Sequence, residues 1–196
     1  MKALITSGLL VSSILLSSSS ASAQTPDQWR LVDFDGASKE LRWEVVNDTV
    51  MGGRSSSQFS IDDQRLVFTG TLNTNGGGFA SVRSSALRRD LSGYTSFRIR
   101  VRGDGRPYRL RLYPFDDWAA YQSEFKTQPD QWMIVELPIA DFYASWRGRR
   151  LDRGPMAAAD IAGLGFILAD GLDGPFKLEI DWIEVTIQST KEIASR

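Results

Sequence analysis

The run SFRIRVRGDGRPYRLRL, residues 96–112, decides the class of fold. Phe97, Ile99 and Val101 alternate with Arg98, Arg100 and Arg102, and Leu110 and Leu112 alternate with Arg109 and Arg111. A period of two sends successive side chains to opposite faces of a strand, so each half carries one apolar and one basic face. Between the halves, Gly103-Asp104-Gly105-Arg106-Pro107 supplies turn chemistry. The reading is a hairpin, half-buried in a sandwich.

The same alternation recurs along the chain. Predicted strands are Leu31–Phe34, Gln58–Ile61, Leu66–Leu72, Phe79–Arg83, Tyr94–Arg102, Tyr108–Tyr113, Trp132–Leu137, Gly163–Leu168 and Phe176–Ile187. Short strands at this spacing, with Gly, Asp, Asn and Pro between them and no long 3.6-residue period, predict an all-β sandwich or barrel. Ile139–Tyr143 and Ala157–Ile161 read as brief helical turns, and the basic stretch Tyr143–Pro155 as a long surface loop. Trp43, Trp132 and Trp182 sit within apolar runs and are predicted to be core.

The chain has 196 residues, with 23 Lys and Arg against 24 Asp and Glu, for a net charge of −1. That balance gives no global field for nucleic acid or an anionic membrane. Cysteine and histidine are both absent. Their absence removes thiolate nucleophiles, imidazole bases, Ser-His-Asp triads and ordinary zinc sites. Residues 1–23 read as a signal peptide: Lys2 precedes an apolar run, Ala3 to Leu16, and Ala21-Ser22-Ala23 is a small-x-small cleavage site. The run is shorter than the roughly 20 apolar residues a membrane span needs. The expected organisation is therefore an exported, periplasmic or secreted protein with one domain over 24–190, a frayed tail over 191–196 and no span after cleavage.

Two segments break the alternation. WEVVNDTVMGGRSSS, residues 43–57, reads as loop throughout, because Asn47-Asp48-Thr49 and Gly52-Gly53 both ask for turn geometry. NTNGGGFASVR, residues 73–83, has the same character before an aromatic enters a strand. It is not a phosphate loop, since no Gly-Lys-Ser/Thr follows. One reading makes the pair a binding surface on a rigid scaffold. Its contact residues would be Asn47, Asp48, Met51, Arg54, Asn75, Phe79 and Arg83, shaped by Gly52, Gly53, Gly76 and Gly77. The other makes the segments tight connections whose Asn and Asp satisfy their own amides.

The arginines 98, 100, 102, 109 and 111 are expected on one shared face, neutralised by Glu124, Glu136, Glu179 or Asp181, or by an anionic ligand. Asp33, Asp35, Asp181 and Glu184 raise a structural calcium ion, opposed by the odd step that sends Asp181 and Glu184 to opposite faces. No spacing among Asp116, Asp117, Glu124 and Asp170 singles out the paired carboxyls of a glycosidase. Trp118, Tyr121, Tyr113 and Trp146 could stack sugar rings. No catalytic residue, metal ligand or cofactor is assigned.

In order, WEVVNDTVMGGRSSS, FTGTL, NGGGFASVR, DLSGY, RVRGDGR, WMIVELP, GFILAD and GPFKLEIDWIEV resemble the complex I intermediate-associated protein 30 family, from about Leu31 to Ile187. The resemblance implies a β-sandwich jelly roll of the galactose-binding type, a fold shared with carbohydrate-binding modules. It implies a non-enzymatic, chaperone-like assembly role, since mitochondrial members assist assembly of the respiratory NADH:ubiquinone oxidoreductase. The partner is then a protein, a subunit or intermediate of a membrane complex, with a glycan as the alternative. An export signal departs from that pattern.

Overall fold

The strands follow from the alternation, but their pairing does not follow chain order. A computed structural model describes residues 27–35 and 41–187, so the expected leader and tail lie outside the described residues. The strands are β1 (Gln28–Val32), β2 (Trp43–Asn47), β3 (Ser56–Asp62), β4 (Arg65–Leu72), β5 (Ala80–Ser84), β6 (Ser96–Gly103) and β7 (Pro107–Pro114). They continue as β8 (Ala120–Lys126), β9 (Trp132–Pro138), β10 (Tyr143–Trp146), β11 (Arg149–Arg150), β12 (Ile161–Leu168) and β13 (Gly174–Thr186). Antiparallel pairing builds two sheets, ordered β3-β4-β13-β6-β9, with β1 also on β13, and β11-β10-β8-β7-β12-β5-β2. Phe68, Phe97, Ile99, Val101, Leu178 and Ile180 of the first sheet meet Tyr108, Leu110, Leu112, Leu164 and Phe166 of the second in a fully buried core. This is the predicted all-β sandwich.

The hairpin expected over 96–112 does not form. β6 pairs with β13 and β9, whereas β7 pairs with β12 and β8. The turn between them carries the chain across the layers. Side chains from both sides hold it there. Asp104 accepts the Tyr108 hydroxyl at 3.1 Å and the Lys177 N–H at 2.8 Å. Arg106 reaches Asp170 at 2.6 Å, and the Gly105 N–H donates to the Thr127 hydroxyl at 3.0 Å. Alternation survives because each apolar face still meets the shared interior, from opposite sides.

The five arginines are divided accordingly. Arg98, Arg100 and Arg102 lie on the outer face of the first sheet, and Arg109 and Arg111 on the outer face of the second. A bulge in β13, between Ile180 and Trp182 in its pairing with β6, reverses the side-chain parity. It brings Glu179, Asp181 and Glu184 to one face, against the odd-step expectation. Arg102 pairs with Glu179, Arg100 with Asp181, and Glu184 with Arg30 at 2.7 Å and Arg98 at 3.5 Å. Those acids serve arginines, and among the described residues no three acidic side chains gather into a metal site. Trp132 and Trp182 are not core: guanidinium groups cover their outward rings, Arg100 at 4.6 Å on Trp132 and Arg30 at 4.5 Å on Trp182.

Three further departures have local causes. Residues 43–57 are not all loop, since Trp43–Asn47 pairs with β5 along its whole length. A 3-10 turn, Asp48–Met51, follows it. β8 escapes the sequence reading because Ala119, Ala120, Tyr121 and Gln122 are all buried in succession, which erases the period of two. Tyr143–Pro155 opens with β10 and β11, which are only four and two residues long and, in β11, consist of exposed arginines. The two expected helical turns are short 3-10 turns, Ile139–Asp141 and Ala158–Asp160.

The turn after β2 is tied to the loop before β5 by one carboxylate. Asp48 has 0% of its surface exposed. One oxygen accepts the Ser55 N–H at 2.9 Å. The other accepts the Ser55 hydroxyl at 2.6 Å, the Gly78 N–H at 2.5 Å and the Phe79 N–H at 3.2 Å. A Cβ on Gly53 or on Gly77 would overlap this carboxylate, so both residues are glycine for space, not for φ. Burial opposes ionisation of Asp48, but its hydrogen bonds from Ser55, Gly78 and Phe79 outweigh it and hold the carboxyl below its ordinary value of 3.8. A depressed folded value contributes stability above the unfolded value, and that stability is lost as pH falls through the folded one.

Replacing Asp48 by Asn turns an NH2 group toward donors and should lower unfolding stability by about 1–3 kcal/mol at neutral pH in urea titrations. The gap should close on acidification below about pH 4. Gly77→Ala should destabilise the native chain and cost less in an Asp48→Ala background, with a coupling of about 0.5–3 kcal/mol. Strictly additive costs would show that Gly77 does not make room for the carboxylate.

Candidate functional site

The outer face of the β11-β10-β8-β7-β12-β5-β2 sheet is the floor of a groove of about 550 Å³. That volume suits a ligand group or a few side chains. One wall is the clamped pair of loops, with Val50, Met51 and Gly76 to Phe79; the other carries Trp118, Trp146 and Arg147. Val50 and Met51 are 70% and 56% exposed, an unusual state for such side chains in a short turn. Gly52 takes a φ of +89°, which closes the turn and leaves Met51 projecting beside the groove.

Register builds the floor. Arg111 of β7 stands opposite Gly165 of β12, which stands opposite Arg83 of β5. Gly165 itself is buried under the Val82 carbonyl and the Arg83 stem, so the groove is lined by the two arginines and not by the glycine between them. Both guanidinium groups lie near the Tyr113 ring, Arg83 at 5.3 Å and Arg111 at 5.6 Å from its centre. Arg109 is paired with Glu124 at 3.1 Å. Arg83 and Arg111 have no ion pair among the described residues, and the Nε of each and the Tyr113 hydroxyl are buried without a hydrogen-bond partner. Burial, with the Arg83 and Arg109 charges adding to it against the influence of Tyr113, pushes the Arg111 guanidinium below its ordinary value. It nonetheless stays charged at neutral pH.

The far wall is aromatic and exposed, with an arginine over each of its tryptophans. Trp118 and Trp146 meet edge to face at 5.1 Å. Arg153 lies over Trp118 at 4.7 Å and Arg147 over Trp146 at 4.6 Å. Tyr121 is buried and does not line the groove, so of the four rings named from sequence Trp118, Trp146 and Tyr113 reach it.

The expected contact residues separate into three sets. Met51, Phe79 and Arg83 line the groove. Asp48 is saturated by the loop amides and Asn47 accepts the Ser57 hydroxyl at 2.6 Å, so both support the wall. Arg54 and Asn75 are exposed but do not line the groove, and the Asn75 N–H turns back to Asn73 at 2.9 Å. Sequence reasoning does not single out Val50, Gln122 or Arg147, which reach the groove only through the pairing of distant strands. Lining groups that titrate are arginines, a tyrosine and the consumed Asp48; no general acid–base pair converges among the described residues. Asp117 and Asp170 are likewise held, by Arg153 at 2.5 Å and Arg106 at 2.6 Å. The arrangement can bind.

Comparison with known proteins agrees on fold and lineage. Residues 32–180 match the family described as complex I intermediate-associated protein 30. The chain is 30% identical to Complex I intermediate-associated protein 30, mitochondrial, of Mus musculus over 169 residues, 74% of this chain and 52% of that protein. It is 29% identical to the Drosophila melanogaster protein of the same name over 179 residues, 77% of this chain and 60% of that one. The chain therefore spans about half to three-fifths of the length of these relatives. Among solved structures, the family 11 carbohydrate-binding module of the cellulosomal cellulase Lic26A-Cel5E of Clostridium thermocellum superposes with a TM-score of 0.60 at 14% identity. It covers 83% of this chain and 96% of the module. A second structure of a family 11 module from that organism, bound to a mixed-linked tetrasaccharide, gives 0.58 at 13%, covering 83% of this chain and 97% of the module. At such identities the likeness shows the fold alone, a β-sandwich jelly roll of the galactose-binding type.

The relatives overturn one expectation. A periplasmic or secreted location was inferred from the first 23 residues, yet the relatives are named as mitochondrial proteins. A short apolar stretch with small residues after it does not by itself distinguish one targeting destination from another. On the match over residues 32–180 and the relatives' identity, the chain belongs to the complex I intermediate-associated protein 30 family.

Proposed function

We propose that this chain is a non-enzymatic binding module of the assembly-factor kind, which holds a segment of a protein partner in the groove. The partner suggested by the relatives' name is an intermediate of complex I. One observation carries the reading: exposed Val50 and Met51 stand beside a floor where two half-buried arginines, each with a buried and unpartnered Nε, have no ion pair among the described residues. A few apolar anchors set beside oriented polar groups are the usual source of interface energy. Met51 and Phe79 are the anchors here, and Arg83 sets orientation. Gly52, Gly53, Gly76 and Gly77 shape the wall, and Asn47 and Asp48 brace it.

A glycan is the less favoured ligand. Sugar rings stack on open aromatic faces, but Arg147 and Arg153 already lie over Trp146 and Trp118. A neutral sugar would also leave Arg83 and Arg111 without counter-charge.

A photo-cross-linking phenylalanine derivative placed at Met51, with Ile134 on the opposite sheet as the control position, tests this in source cells. The expected outcome is cross-linking to complex I subunits from Met51 and not from Ile134. No adduct from Met51, or the same adducts from both positions, would contradict the proposal.

A further inference from the structure

We propose that the groove selects acidic peptide segments, seating a carboxylate beside Tyr113 between Arg83 and Arg111, with an adjoining apolar side chain against Met51 and Val50. This rests on the reading of the groove as a protein-binding surface and names the chemistry of what it takes.

Three observations converge on it. First, this chain neutralises its arginines almost wherever they line up. On the first sheet Arg30, Arg98, Arg100 and Arg102 all have carboxylate partners. On the second, Arg109 has Glu124, while Arg83 and Arg111 have none among the described residues. A guanidinium Nε buried without a partner is costly unless something else completes its hydrogen bonds. Second, Arg83, Arg111 and Tyr113 all line the groove, with both guanidinium groups set about the one tyrosine ring at 5.3 and 5.6 Å. The planar fork of a guanidinium meets a carboxylate through two parallel hydrogen bonds, and the Tyr113 hydroxyl, also buried and unpartnered, can donate a further one. Third, the neighbouring wall is aliphatic. Val50 and Met51 have no flat face to stack on a sugar ring, but suit a Leu, Ile or Phe next to the acid. Charge and shape therefore agree on a peptide with an acid beside an apolar residue. Arg147 at the far wall adds to the same field.

The test uses a fluorescein-labelled peptide with the sequence Gly-Asp-Leu-Glu-Phe-Asp-Leu-Gly, and its Asn/Gln counterpart, in anisotropy titrations against the full chain. The acidic peptide should bind about tenfold or more tightly than the amide peptide, and less tightly as salt is raised. Arg83→Met and Arg111→Met should each lose about tenfold in affinity, and Arg54→Met, outside the groove, should lose nothing. Arg111→Met should melt no lower than the native chain, because the guanidinium leaves no ion-pair or hydrogen-bond partner behind and the methionine can keep the contact with the Tyr113 ring; a structural arginine would lower the melting temperature. Should that variant nevertheless unfold, Arg83→Met decides the matter alone. Equal binding of the two peptides, native affinity in both arginine variants, or binding of oligogalacturonate as tight as that of the acidic peptide would overturn the proposal. If Met51 cross-links to a protein but the two peptides bind alike, only the charge assignment falls. If Met51 cross-links to nothing, the protein-binding reading falls first.

Discussion

The Asp48 carboxylate is out of water, surrounded by four N–H and O–H donors and by no cation, and it joins two segments that would otherwise be separate loops. A lone carboxylate in a dry interior would be strongly disfavoured. Here the donors replace its hydration, and they come from both sides: Ser55 after the 3-10 turn, Gly78 and Phe79 before β5. The backbone adds to the link, since the Asp48 N–H donates to the Phe79 carbonyl at 3.2 Å. Ser55 extends it, its hydroxyl accepting the Asn73 N–H at 3.0 Å. Beyond that, the Thr74 N–H reaches Asp173 at 2.6 Å, and the 170–175 loop is held in turn by Arg106 on Asp170. The groove wall is thus braced through to the turn that carries the chain between sheets.

Rigidity of that wall explains how Val50 and Met51 remain outside. Left to hydrophobic collapse, exposed apolar side chains on a mobile turn would fold back over the nearest apolar surface. A turn pinned through its first residue, with Gly52 closing it in the left-handed region, has less freedom to do so. Surface chemistry differs between the two sheets for a related reason. The first sheet spends its acids on its own arginines, through the bulge in β13. The second leaves two arginines unsatisfied beside the pinned wall, which is where a binding surface gains most from an incoming carboxylate.

Much of the scaffold is legible in the sequence. Alternation in residues 96–112 gives both strands, their core faces and the turn between them. It cannot say which strands lie alongside, because a hairpin and a layer crossing bury the same residues. The β13 bulge is invisible for the same reason: Ile180, Asp181 and Trp182 read as continuous alternation until the pairing with Val101 and Arg100 is known. At the candidate site, the glycines 52, 53, 76 and 77 stand out as backbone without side chains. That Gly77 makes room for Asp48 depends on a contact across some thirty positions. The Arg83, Gly165 and Arg111 row comes from three strands far apart in the chain, and only register brings it together. Local patterns carried the fold; the site was assembled by pairing.

Carbon-13 NMR of the Asp48 side chain, followed with the amide protons of Ser55, Gly78 and Phe79 through an acid titration, tests the clamp most directly. The expected result is a carboxyl midpoint below 3.8, with all three amide signals shifting at that same midpoint. A midpoint at or above 3.8, or amide signals indifferent to it, would mean that the two loops are not held together by this carboxylate.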